Sequence, residues 1–254
     1  MALRAGQIRA VLFDFGNTLI RFGEGELGRY GRSLAGALEA HYGPLDMEAF
    51  FALRERSRTD PFVGDEPAYR ENDLRFITAR LVRELYGKEP DEETMAALLR
   101  TRFDSFVDAV EVEDDVAPLL DRLGKGYRLG LLSNYPDGPA IRASLDKIGL
   151  TQYFDSIVVS GEVGFCKPHP ITFATSMQQF GLPSREILFV GDNWLADIQG
   201  AKRVGMQVVY MKRWRCAEAF APQPGDHLPD ADIGHLSELP ALLAYDGPGS
   251  PEGE

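Results

Sequence analysis

The chain has no apolar run approaching the roughly 18 residues that a membrane-spanning helix needs. Its opening stretch, MALRAGQIRA, carries no apolar segment of the signal-peptide kind. Cysteine is scarce: Cys166 and Cys216 lie far apart and fit no metal-ligand spacing, so they read as two reduced thiols in a cytoplasmic protein. Basic charge is also short, with 27 Lys and Arg against 39 Asp and Glu and a formal net charge of −12. That balance argues against nucleic acid or an anionic membrane as a partner, since both reward cationic surfaces. It leaves an anionic small substrate open, because a bound cation and a few local donors outweigh the global field. Internal repeats are absent.

What is present is ordinary globular composition over 254 residues, 44% hydrophobic and 26% charged, enough for one large domain or two smaller ones. Residues 8–14 read as a buried strand that delivers Asp14 to its carboxyl end. From about Arg21 to Val110 the texture changes: apolar residues recur at helical spacing, as in LRFITARLVRELYG and EETMAALLRTRFDSFV, with breaks at Gly43-Pro44, Pro61 and Gly87 to Pro90. This stretch reads as an all-helical insert. Beyond it, strands such as YRLGLLSN, FDSIVVS, EILFVGD and QVVYM alternate with single helices, including NWLADIQGAKRVGM. Such alternation predicts an α/β fold whose parallel sheet has right-handed crossovers. The tail, DGPGSPEGE, is polar and rich in Gly and Pro, and is expected to be disordered.

In a sheet of this kind ligands bind outside the carboxyl ends of the strands. Four strand ends here carry polar residues: Asp14, Ser133-Asn134, Ser160-Gly161-Glu162 and Gly191-Asp192. An Asp closing an apolar strand is costly unless something satisfies it, so Asp14 and Asp192 are the firmest of these signals. Other polar residues have simpler readings. His169, in KPHP, reads as a helix entry, and LRERSR with Arg54, Arg56 and Arg58 reads as a solvated helix face.

Taken in order, Asp14 after a strand, Ser133 in LGLLSN, Lys167 in GFCKPHP, and Asp192 with Asp197 in FVGDNWLAD resemble the four-part pattern of the haloacid dehalogenase superfamily. The resemblance covers nearly the whole chain and implies a Rossmann-like parallel-sheet core, residues 1–20 plus 111–245. It also implies a mobile helical cap, residues 21–110, inserted after the first motif, with residues 246–254 as a tail. It implies a phosphohydrolase in which Asp14 attacks phosphorus and forms an aspartyl phosphate, which splits one hard hydrolysis into two easier steps. Mg²⁺ would sit on Asp14, Asp192 and the Gly16 carbonyl, in keeping with its preference for oxygen ligands. Lys167 would oppose the charge of Asp14 and the phosphate. Ser133 and the backbone N–H groups of Phe15 and Asn134 would bind the transferring oxygens. Asn193 or Asp197 would hold the metal's waters or orient Lys167. The implied partner is a small phosphorylated molecule, with no nucleic acid and no membrane, and no oligomeric state is indicated.

One position departs from the family pattern. Its phosphatases carry a second Asp two residues after the first, which protonates the leaving oxygen, and this chain has Gly16 there. General acid–base help is typically worth ~10²–10⁴-fold, so the departure predicts slow turnover of alkyl phosphates and favours leaving groups of low pKa. Three alternatives stay open beside the phosphatase: a metal-free haloacid dehalogenase, a phosphonate-cleaving enzyme and a weakened phosphate binder. The phosphonate-cleaving branch forms an imine with a cap lysine, whereas the only lysine before residue 125 here is Lys88, in a loop-like segment.

Overall fold

The structure is a computed structural model that describes residues 3–63, 68–214 and 222–243. Cys216, Arg215 and the 246–254 tail lie outside the described residues. Six parallel strands make one sheet: β1 Ala10–Phe13, β2 Arg128–Ser133, β3 Ser156–Val159, β4 Ile187–Gly191, β5 Gln207–Met211 and β6 Ala231–Ile233. Their order is β3-β2-β1-β4-β5-β6, so the strand order reverses between β1 and β4 at the centre of the sheet. An open sheet places its ligand crevice at that reversal.

The central strands β1 and β4 are apolar throughout because both faces are covered. Alternate residues serve opposite layers. Val11, Phe13, Leu129, Leu131, Leu188 and Val190 join one core cluster, while Ala10, Leu12, Leu132, Phe189 and Val208 join another on the opposite face. Burying a side chain of this size is worth about 1.5–3 kcal/mol, so the central strands anchor the site they carry.

Among the described residues, the stretch 21–110 between β1 and β2 forms four α-helices: α1 Glu24–Tyr42, α2 Met47–Thr59, α3 Leu74–Tyr86 and α4 Glu92–Ala109. Their starts follow from capping chemistry. Asp46, Asp73 and Asp91 each accept a backbone N–H three residues on, at 3.0, 2.8 and 2.8 Å, at the starts of α2, α3 and α4 respectively. Gly87 stops α3 in the left-handed conformation, φ 63°. The four helices enclose a cluster of their own, including Leu34, Leu38, Phe50, Leu81, Val82 and Leu98. No helix among the described residues is long and apolar enough to cross a membrane.

The helices α5 Val116–Gly124, α6 Gly138–Lys147, α7 Ser160–Val163, α8 Pro170–Phe180 and α9 Gly200–Arg203 lie before or between the later strands, and α10 Leu239–Leu242 follows β6. The sequence predicts one unbroken helix over NWLADIQGAKRVGM, but Trp194–Gln199 is a wider π-helical turn that only then runs into α9. At its start Asn193 Oδ1 caps Ala196 N at 2.8 Å, Asp197 Oδ2 accepts Asn193 N at 2.9 Å, and Ile198 N reaches back five residues to the Asn193 carbonyl at 3.1 Å. Widened turns of this kind recur at functional sites.

Candidate active site

Asp14 follows β1, the central strand, and Asp192 follows its neighbour β4. Ser133 ends β2 on the other side of β1. The reversal of strand order therefore gathers three of the four motifs by topology alone. The fourth arrives from the loop before α8, whose Lys167 reaches beneath the strand ends and is 1% exposed. Its ammonium donates to Asp14 Oδ1 at 2.6 Å and to the Leu132 carbonyl at 2.8 Å, and lies 2.7 Å from Asp197 Oδ1.

Burial works against a charged ammonium, but the two carboxylates and their hydrogen bonds outweigh it and hold the Lys167 pKa above the ordinary lysine value. The carboxylates feel the opposite imbalance. Burial, and then the charges of Asp14 and Asp197, push the Asp192 carboxyl well above its usual range, and Lys167 offsets only part of this. Burial likewise raises Asp197 to about 6 against the pull of Lys167. Three acidic side chains thus share one buried cation.

Several sequence expectations separate at this point. Asp14, Ser133, Lys167, Asp192 and Asp197 come together. Asn193 does not reach Lys167: its side-chain oxygen is engaged as a helix cap, and Asp197 is the residue that orients the lysine. Asn134 contributes more than its backbone. Its side chain accepts the Lys167 N–H at 2.7 Å and donates to the Lys167 carbonyl at 3.0 Å, clamping that residue from both sides. The backbone N–H groups of Phe15 and Asn134 have no hydrogen-bond partner among the described residues, and neither does Ser133 Oγ. Thr18, which sequence reasoning missed, donates to Asp14 Oδ2 at 3.2 Å from the turn that follows β1.

Glycines explain two close approaches. At Gly191 a β-carbon would collide with the Asp197 carboxylate, so only glycine lets that group fold back beneath the β4 end. At Gly16 the reverse holds: an added β-carbon would meet only Phe22 Cβ, at an ordinary 3.6 Å. The turn after Asp14 therefore has room for a side chain that the sequence does not supply.

Other expected strand-end residues are structural. Ser160 Oγ accepts Tyr135 N at 2.7 Å and donates to Glu71, and Glu162 pairs with Arg142 at 2.9 Å. His169 caps α8 through Ile171 N at 3.3 Å and stacks on Phe165, in keeping with its reading as a helix entry. Lys88 lies over the Tyr42 ring at 5.6 Å, near the α3–α4 junction.

The carboxylates of Asp14, Asp192 and Asp197 offer oxygens that all lie within 4.8 Å of one another. Three carboxyls face one ammonium, and their mutual repulsion adds to burial in raising Asp192 and Asp197. A hard divalent cation with oxygen ligands fits both the charge and the donor set.

Above the strand ends, the four helices and the loop after β2 enclose a cavity of about 610 Å³. Asn134 and Cys166, neighbours of Ser133 and Lys167, form part of its floor. Its size suits a small metabolite.

The family profile described as haloacid dehalogenase-like hydrolase matches residues 8–205. The chain is 29% identical over 237 residues to the glyceraldehyde 3-phosphate phosphatase of Methanopyrus kandleri, covering 91% of this chain and 95% of that protein. It is 26% identical over 241 residues to the ribulose-1,5-bisphosphate 5-phosphatase of Halopiger xanaduensis, covering 92% and 99%. Among solved structures, a 2-haloacid dehalogenase from Pseudomonas syringae pv. Tomato DC3000 superposes with a TM-score of 0.71 at 24% identity, covering 93% of this chain and 98% of that one. A HAD phosphatase from Thermococcus onnurineus superposes with a TM-score of 0.65, also at 24% identity and the same coverage. Dehalogenase and phosphatase alike share the fold, so the fold separates neither chemistry from the other. With its profile matched over most of its length and its parallel sheet in place, the chain belongs to the haloacid dehalogenase-like hydrolases.

Proposed function

We propose that this hydrolase is a Mg²⁺-dependent phosphatase of a small phosphorylated metabolite, working through an aspartyl phosphate on Asp14. The observation that carries the reading is the Asp14–Lys167 pair at 2.6 Å, set among three clustered carboxylates where the strand order reverses. Full-length relatives named as phosphatases of small phosphorylated sugars support the substrate class.

Asp14 and Asp192 would hold the metal, with the Gly16 carbonyl as a further oxygen. When bound, the ion supplies positive charge between Asp14 and the incoming phosphate, which otherwise repel each other. The protein's own residues do the rest. Lys167 and Thr18 fix the two Asp14 oxygens, so the carboxylate is aimed before the substrate arrives. The unpaired N–H groups of Phe15 and Asn134, with Ser133 Oγ, point to a cradle for the phosphoryl oxygens. An Asp14 oxygen bonds to phosphorus as the ester oxygen departs. Water then breaks the new P–O bond, releasing phosphate and restoring the carboxylate. Asp197 keeps Lys167 charged and in place through both steps.

Gly16 offers no acid for the departing oxygen, and His169 is engaged with α8 and Phe165. Leaving groups that need little protonation should therefore react best. The helices over residues 21–110 act as the cap over the core of residues 1–20 plus 111–245, closing on bound substrate and excluding water.

Phosphate release from an aryl phosphate, with and without Mg²⁺, tests the reading in wild type and in Asp14→Asn. Release should require both the metal and Asp14. Release that survives Asp14→Asn overturns the mechanism, and metal-independent chloride release from 2-chloropropionate replaces it with dehalogenation.

A further inference from the structure

The cavity above the strand ends holds two arginines whose charge the protein does not match. Arg102, on α4, is 8% exposed, and its Nε is buried with no hydrogen-bond partner. Arg54, on α2, lies half-buried, its guanidinium 4.8 Å over the Tyr30 ring. Neither is ion-paired with a carboxylate among the described residues. Burial lowers the Arg54 pKa; the Tyr30 hydroxyl opposes this, and the charge of Arg102 adds to the lowering. Both line the same cavity.

The acidic groups around the cavity do not neutralise them. Glu55 is engaged by Arg58 at 2.7 Å on the exposed rim, and Glu24 is exposed at the mouth. Glu71 is fully occupied: Oε1 accepts Asn72 N at 2.7 Å, and Oε2 accepts Cys166 Sγ at 3.2 Å and Ser160 Oγ. The helix opposite Arg54 has also made way for it. A β-carbon at Gly31 of α1 would collide with the Arg54 guanidinium, so the glycine keeps a slot for the charge at a cost of about 1 kcal/mol in helix propensity.

A buried guanidinium without a counter-ion, with a second, half-buried one lining the same cavity, is expensive unless something pairs with them during function. Arginine presents a planar fork that matches carboxylate and phosphate oxygens two at a time. We propose that Arg54 and Arg102 form a second anion site, binding a carboxylate or a second phosphate on the part of the substrate distant from the reacting phosphoryl group. The inference rests on the phosphatase reading and narrows its substrate class to small phosphate esters that carry a second oxyanion. Tyr30 and Tyr135 line the cavity beside the pair, and Phe106 packs against both, stacked on Tyr135 at 4.0 Å and edge-on to Tyr30 at 6.1 Å.

A matched trio of esters tests this: propyl phosphate, 3-(phosphonooxy)propanoate and propane-1,3-diyl bisphosphate. Wild type should favour at least one doubly anionic ester over propyl phosphate in kcat/KM by about tenfold or more. Whichever of the two is favoured identifies the second group. Arg102→Gln and Arg54→Gln should each shrink that ratio about tenfold, chiefly through KM, and Arg102→Lys should restore part of it. Equal turnover of all three esters by wild type, or a ratio unchanged in folded variants, overturns the inference while leaving the phosphatase reading intact.

If no ester is hydrolysed, phosphate release from an aryl phosphate separates a poor alkyl leaving group from failure of the phosphatase reading, and calorimetric binding of the same trio to the Asp14→Asn protein still decides the anion site. Tighter binding of a doubly anionic ester that depends on Arg54 and Arg102 supports it, and equal binding rejects it. Should Arg102→Gln not fold, Arg54→Gln gives the same reading alone.

Discussion

Lys167 and Arg102 are both buried cations, one under the strand ends and one under the helices, yet their surroundings are opposite. Lys167 meets two carboxylates and a carbonyl at 2.6–2.8 Å. Arg102 meets none, and its Nε has no partner. A cation matched by the fold belongs to machinery assembled in advance, whereas one left unmatched is kept for something that arrives. The core reads as pre-organised and the insert as awaiting its ligand, and three substitutions test that difference.

The largest effect belongs to Lys167→Met. Removing one partner from a buried ion cluster strands Asp14 and Asp197, and such losses run to about 3–5 kcal/mol. Denaturant unfolding without metal should show that loss. Turnover should fall by about 10²–10³-fold, because the transition state loses a pre-positioned donor. Unchanged stability would mean that the carboxylates find partners elsewhere, and the contrast with Arg102 would collapse.

Gly16→Asp comes next and sharpens the account of the core. The backbone there lies outside the left-handed region, and a β-carbon meets only Phe22 at 3.6 Å, so the variant should fold. If a missing acid limits the rate, alkyl phosphate hydrolysis should rise by up to about 10²-fold and aryl phosphate hydrolysis by much less. Equal gains on both would place the deficit in something other than leaving-group protonation.

The core was far more legible in the sequence than the insert, and the reason is physical. Asp14 and Asp192 each follow an uninterrupted apolar strand, and the carboxyl ends of adjacent parallel strands must meet. Lys167 was readable only beside them, through its motif. What stayed hidden depended on geometry that pattern does not carry. Thr18 acts through a local turn, the Asn134 side chain through a contact with Lys167 33 residues away, and the π-helical turn at Trp194–Gln199 departs from a period that the pattern reads as ordinary helix.

In the insert, LRERSR reads as a solvated face, and this is right for Arg56 and Arg58, which pair with Glu84 and Glu55. It misses Arg54, which turns toward the cavity. Arg102 did leave a trace. It occupies one step of the buried stripe Met95, Leu98, Arg102, Phe106 and Ala109, where an apolar residue belongs. A charge in the middle of an apolar stripe is the sequence signal that could have located the second site.

That misplaced charge supports the smallest predicted effect. Arg102→Met substitutes an unbranched apolar side chain of similar length at a position already lined by aromatics. The change removes a buried guanidinium that no carboxylate repays and relieves the repulsion on Arg54. Replacing buried charge with apolar bulk is often neutral or stabilising, so unfolding free energy should stay within about 1 kcal/mol of wild type or rise. The same substitution at Lys167 costs several times more, although both side chains are long, buried and cationic. A loss at Arg102 as large as at Lys167 would show that the guanidinium has a structural partner after all, and the insert would then be as fully assembled as the core.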